Sequence, residues 1–86
     1  MKFIRNKSIY SKKIEDKWYI LESNKKVMRE LNAVASLLWE MLEKPSTIED
    51  LVKRICKEFA VDKVQAEQDT RVFIKQYLKE QLIQQL

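Results

Sequence analysis

The sequence predicts an α+β fold. Three short antiparallel strands come first and three helices follow, an arrangement like a winged helix-turn-helix with its wing moved to the front. Three observations predict it. Between Ile9 and Leu31 the chain carries short alternating, aromatic or β-branched runs separated by brief polar turns. From Ala33 onward, apolar residues recur at three- and four-residue spacing, the period of a helix with one buried face. Residues able to cap a first helical turn stand at the start of each helical run.

The elements follow in order. Met1 to Ser8 is polar and basic and reads as a loosely held arm, with Phe3 or Ile4 tucked onto the sheet. Ile9 to Ile14 is a first strand, and Glu15, Asp16 and Lys17 turn the chain. Trp18 to Leu21 is a second strand, and Ser23, Asn24 and Lys25 make the next turn, with Asn24 best suited to a left-handed backbone. Lys26 to Leu31 is the third strand. Val27, Arg29 and Leu31 share one face, and Met28 and Glu30 the other. Short connections make the three an antiparallel meander.

Asn32 caps the first helix, expected over Ala33 to Glu43, whose stripe is Val34, Leu37, Leu38, Met41 and Leu42. After Pro45, either Ser46 with Glu49 or Thr47 with Asp50 forms a capping box for the second helix. Its stripe is Ile48, Leu51, Val52, Ile55, Cys56 and Phe59. Asp62 caps the third helix, which turns Ala66, Thr70, Phe73, Ile74, Tyr77 and Leu78 inward, and Leu82, Ile83 and Leu86 pack the end back onto the core.

The 86 residues read as one domain, 1–86, with a net charge of +4. That balance permits an acidic partner without demanding one. No glycine is present, which excludes phosphate-cradling glycine loops. One cysteine and no histidine exclude a disulfide framework, argue against a zinc site, and leave no near-neutral general base. No carboxylate pair is placed to tune one of its members. The expectation is a binding protein rather than an enzyme, without cofactor or metal. No apolar run approaches the length of a membrane span and no signal peptide is visible, so a cytoplasmic protein is the simplest reading.

Five ordered segments carry a family resemblance. Trp18-Tyr19-Ile20-Leu21, Leu31-Asn32 and Leu38-Trp39-Glu40-Met41-Leu42 resemble the strand-to-helix core of the PqqD-like family. Ser46-Thr47-Ile48-Glu49-Asp50-Leu51-Val52 resembles the opening of that family's second helix, and Asp69, Phe73-Ile74 and Leu82-Ile83 match its third-helix motif. Three departures are visible: Gln81 where a glycine is usual, Thr70 for valine and Tyr77 for leucine. The Leu-Asn and Trp residues are closer to the lasso-peptide and general recognition-element branch than to the PQQ protein itself.

The resemblance implies a RiPP recognition element, which binds the leader segment of a ribosomally made precursor peptide and presents the core to modifying enzymes. It implies that the leader adds as a strand beside the third strand, against the third helix. A free strand edge suits that role, because unpaired N–H and C=O groups invite an extended partner. The candidate contacts are Lys26, Val27, Met28, Arg29, Glu30 and Leu31 on the strand, and Asp69, Val72, Phe73 and Gln76 on the helix. Lys26 and Arg29 are candidates to pair leader acids, and Asp69 a leader lysine or arginine. Val27, Leu31 and Phe73 sit on core spacing, so packing is the plainer reading of each. Arg29 reads also as a solvated strand residue, and Asp69 as electrostatic support for its helix. A proline at Val27 is expected to abolish binding on the condition that the Val27 N–H faces the peptide.

Partners implied are the precursor peptide and a biosynthetic enzyme such as a leader peptidase, with no membrane. The alternative is a nucleic-acid-binding winged helix. Against it, the third helix mixes Asp62, Glu67, Asp69 and Glu80 with Lys63, Arg71, Lys75 and Lys79. A homodimer through the strand edge is a third option.

Overall fold

The computed structural model describes residues 1–22 and 26–86. Among the described residues, five strands and three helices run in the order β1 (Phe3–Arg5), β2 (Tyr10–Ile14), β3 (Lys17–Glu22), β4 (Val27–Glu30), α1 (Ala33–Met41), α2 (Ile48–Glu58), α3 (Lys63–Lys79) and β5 (Ile83–Gln85). The expected meander is present as an antiparallel sheet of order β2-β3-β4. Tyr19 opposes Lys12 on one side and Glu30 on the other. Asn24, the residue expected to turn left-handed, lies outside the described residues. Among the described residues positive φ is found at Glu15 (58°), Lys26 (51°) and Gln81 (61°).

The N-terminal segment departs from expectation. It is no loose arm: β1 pairs antiparallel with β5, with Phe3 opposite Gln85 and Arg5 opposite Ile83. Its other edge is also filled. Phe3 and Ser46 exchange backbone hydrogen bonds of 2.8 and 2.9 Å, and Arg5 N–H donates to the Leu42 carbonyl at 2.8 Å. Phe3 is 3% exposed and joins the same core cluster as Ile20 of the meander, from its place in the second sheet.

Arg5 completes α1. That helix has no basic residue in its last turn. The Arg5 guanidinium donates to the Trp39 carbonyl at 2.6 Å and lies 4.6 and 5.1 Å from the Trp18 and Trp39 ring centroids. A cation there meets the negative end of the helix dipole and two aromatic faces together. Burial pushes the Arg5 pKa down, opposed by Glu43 and Glu40.

The caps act as the residue types dictate. Asn32 accepts from Ala35 N–H at 2.9 Å and Asp62 from Gln65 N–H at 2.8 Å. Of the two possible boxes on α2, Thr47 with Asp50 is the one formed, while Ser46 is buried against β1. α1 stops at Met41, two residues short of the expected Glu43.

The core joins Ile20, Leu31, Leu38, Trp39 and Leu42 to Leu51 and Ile55 from α2 and to Ala66, Phe73, Ile74 and Tyr77 from α3. Each large side chain contributes about 1.5–3 kcal/mol on burial. Leu82 and Ile83 are buried as expected, but Leu86 is exposed. Among the described residues no helix is long and apolar enough to cross a membrane. Nor does any cluster of three or more His, Cys, Asp or Glu residues there suit a metal ion.

Candidate functional site

Among the described residues β4 pairs only with β3, so one of its edges is open there. A single rung shows which backbone groups that edge presents. Leu31 N–H donates to the Trp18 carbonyl at 2.9 Å. The other half of the rung passes through a buried hydroxyl: Ser36 Oγ accepts from Trp18 N–H at 3.0 Å and donates to the Leu31 carbonyl at 3.1 Å. Backbone groups alternate along an antiparallel strand. With Leu31 facing β3, Arg29 and Val27 face it too, and the N–H and C=O groups of Met28 and Glu30 point outward. The condition set for a proline at Val27 is therefore not met.

Beside this edge lies a groove of about 550 Å³. Arg29, Glu30 and Leu31 form its sheet side, and Asn32, Val34, Ala35 and Leu38 its α1 side. Asp69, Val72, Phe73, Gln76 and Tyr77 form its α3 side. Those α3 positions recur at three- and four-residue intervals, so one flank of the helix is turned to the groove while the adjacent stripe enters the core. The aromatic part of the wall is fixed. Phe73 and Tyr77 stack with centroids 3.8 Å apart, and Tyr77 tilts against Trp39 at 6.2 Å. Burial pushes the Tyr77 hydroxyl pKa up.

Seven of the ten candidate residues line this groove: Arg29, Glu30, Leu31, Asp69, Val72, Phe73 and Gln76. Lys26, Val27 and Met28 do not. Lys26 is an exposed turn residue. Val27, expected on the core face, is 51% exposed because it stands at the strand's end. Met28 directs its side chain to the outer face of the sheet and only its backbone to the edge. Leu31 is both core and groove lining.

Arg29 is half-buried and already paired within the chain. It bonds Glu22 at 3.1 Å, forms an ion pair with Glu80 at the end of α3, and sits 5.9 Å from the Tyr77 centroid. Its pKa is raised, first by the hydrogen bond to Glu80. Gln76 Nε2 joins the same group through Glu80 at 3.1 Å. Glu30 is held by Lys17 at 2.9 Å, a contact that lowers the Glu30 pKa and raises that of Lys17. What Glu30 offers the groove is therefore chiefly backbone. Asp69 accepts from Gln65 Nε2 at 2.8 Å.

Sequence reasoning missed Asn32, Val34, Ala35, Leu38 and Tyr77. The signal was present in the α1 stripe, which reads as one buried face. Val34 and Ala35 in its first turn are only half-buried, and that is where the groove runs. A further apolar row lies on the outer face of the sheet, where Tyr10, Leu21 and Met28 stand opposite one another across three strands. Tyr10 is 59% and Met28 52% exposed. α3 does not present a uniformly basic face, since Arg71 is paired with Glu67 at 3.4 Å and Asp69 looks into the groove.

An open edge beside an apolar groove can take an extended chain, with main-chain bonds at the edge and alternate side chains in the groove. Comparison with known proteins bears on that geometry. No curated protein sequence matches the chain. A solved structure described as "TbiB1 in Complex with the TbiA(beta) Leader Peptide" is 28% identical, with a TM-score of 0.83 over 96% of each chain. Another, described as "Lasso peptide synthetase B1 complexed with the leader peptide", is 16% identical, with a TM-score of 0.81 over 99% of this chain and 100% of that one, and shows the shared fold. Residues 17–83 match the family model described as Coenzyme PQQ synthesis protein D (PqqD), and by that match over most of its length the chain belongs to the PqqD family.

Proposed function

We propose that this protein binds the leader segment of a ribosomally synthesised precursor peptide by strand addition to β4, against α3, and presents the core segment to a partner enzyme such as a leader peptidase of a lasso-peptide pathway. The carrying observation is the open edge of β4, with Met28 and Glu30 backbone groups outward, beside a groove walled by α1 and α3. The likeness to a structure described as TbiB1 with a leader peptide supports it. The protein supplies recognition and no chemistry of its own, and it works in the cytoplasm as a single module.

Main-chain bonds contribute about 0.5–1.5 kcal/mol each and are blind to sequence. Specificity falls to the side chains that enter between Val34, Leu38, Val72 and Phe73. The partner enzyme is assigned to the outer face, over Tyr10, Leu21 and Met28, because that apolar row continues to the very strand the leader joins. Tyr10→Glu should leave leader affinity unchanged and slow leader removal; an unchanged rate would remove that face.

The test is a fluorescence-anisotropy titration with the leader half of the precursor encoded beside this protein, against a scrambled leader and a DNA duplex. Saturable binding to the native leader alone is expected. Binding confined to the duplex and lost as salt rises would establish the winged-helix alternative instead.

A further inference from the structure

We propose that the groove selects a leader strand bearing a lysine or arginine side chain opposite Asp69. The inference rests on the strand-addition reading and adds the charge of the ligand to it.

Among the described residues, three charged ones line the groove: Arg29, Glu30 and Asp69. Two already have opposite charges. Arg29 is matched against two carboxylates, Glu22 and Glu80. Glu30 is held by Lys17. Asp69 differs. Its Oδ1 takes a neutral N–H from Gln65, and among the described residues no cation lies within ion-pair distance of it. Among the described residues that line the groove, one cation stands against two carboxylates, so the lining is net negative in a chain whose overall charge is +4.

An added strand would shield Asp69 from water and strengthen any charge opposite it. Val72 and Phe73 flank the carboxylate on the same helix and give apolar surface to the methylene stem of a lysine or arginine. An acidic side chain would meet repulsion at Asp69 and would find Arg29 already engaged. A charged contact of this kind discriminates through like-charge rejection as much as through attraction.

The experiment is a selection of randomised peptides displayed against the full chain, run in parallel on the wild type, Asp69→Asn and Asp69→Lys, with circular dichroism confirming each fold. Wild type should enrich peptides with apolar residues at alternate positions and lysine or arginine at one fixed position. Asp69→Asn should lose the basic preference and keep the apolar ones. Asp69→Lys should replace it with aspartate or glutamate. A cognate basic peptide should bind Asp69→Lys about tenfold or more weakly. Peptides that bind equally well without a basic position, or whose basic position persists in Asp69→Lys, would overturn the charge selection and leave strand addition standing. Failure of all three proteins to enrich any peptide would remove strand addition itself, and the charge selection with it.

Discussion

The Leu31 N–H meets the Trp18 carbonyl at 2.9 Å, and that one bond fixes the outward groups of β4. Proline is tolerated on an edge strand where its missing N–H would have faced solvent. Met28→Pro should keep the sheet and melt within a few degrees of wild type, yet bind leader at least about fivefold more weakly, the loss of one backbone bond of about 1 kcal/mol. Arg29→Pro should instead break the ladder to β3 and unfold at lower denaturant. Equal leader affinity for Met28→Pro and wild type would place the peptide elsewhere.

Phe3 yields a test of the second sheet. It is 3% exposed and its backbone is bonded to Ser46. Phe3→Ala should cost about 3–5 kcal/mol, the range for truncating a buried aromatic. Chemical denaturation measures it directly. A loss below about 1 kcal/mol would mean that β1 is not held in the core.

Gln81 occupies a left-handed backbone, φ 61°, immediately before the buried pair Leu82-Ile83. A side chain there costs about 1 kcal/mol that glycine avoids. Gln81→Gly should therefore raise stability by about that amount, or roughly 4–8 °C in Tm for a domain of this size. The hydrogen bond from Asn6 to the Gln81 carbonyl, 3.0 Å, survives the change because it uses main chain. An unchanged or lower Tm would show that the backbone strain is absent.

These cases show what the sequence could carry. Helix stripes and caps were legible because period and cap chemistry are local: Asn32, Thr47 and Asp62 each bond the backbone three residues on. The meander was legible from its short turns and β-branched or aromatic residues. The β1–β5 sheet was not, because it joins two three-residue strands from opposite ends of the chain, each too short to show alternation. In the site, the α3 flank of Asp69, Val72, Phe73 and Gln76 was readable one step round from the core stripe. The role of Arg29 was not, since it depends on Glu22 and Glu80 arriving from two other elements. Alternation alone put Val27 inside, but at the end of its strand it is 51% exposed.

The acid limb of stability should be carried in part by two carboxylates. Glu40 has a lowered pKa, first through its hydrogen bond from Lys13, with Trp18 adding a second. Asp50 is lowered by the Thr47 backbone and hydroxyl of the capping box. A carboxylate with a depressed folded-state pKa contributes stability above its unfolded value, and that contribution is lost as pH falls through the folded one. Thermal melts should therefore be flat near neutrality and decline below about pH 4.5, the ordinary value for glutamate. Glu40→Gln with Asp50→Asn should give a shallower decline than wild type. An identical acid slope would assign the limb to other groups.

The Leu86 N–H donates to the Lys2 carbonyl at 2.8 Å, so the two ends of the described chain run side by side. Neither β1 nor β5 lines the groove. A protein joined at residue 1 and one joined at residue 86 would thus emerge from nearly the same place, clear of the groove. Fusion order ought then to matter little, and a short linker between the ends, with a new opening at the Glu15-Asp16 turn, would give a permuted chain that keeps its groove.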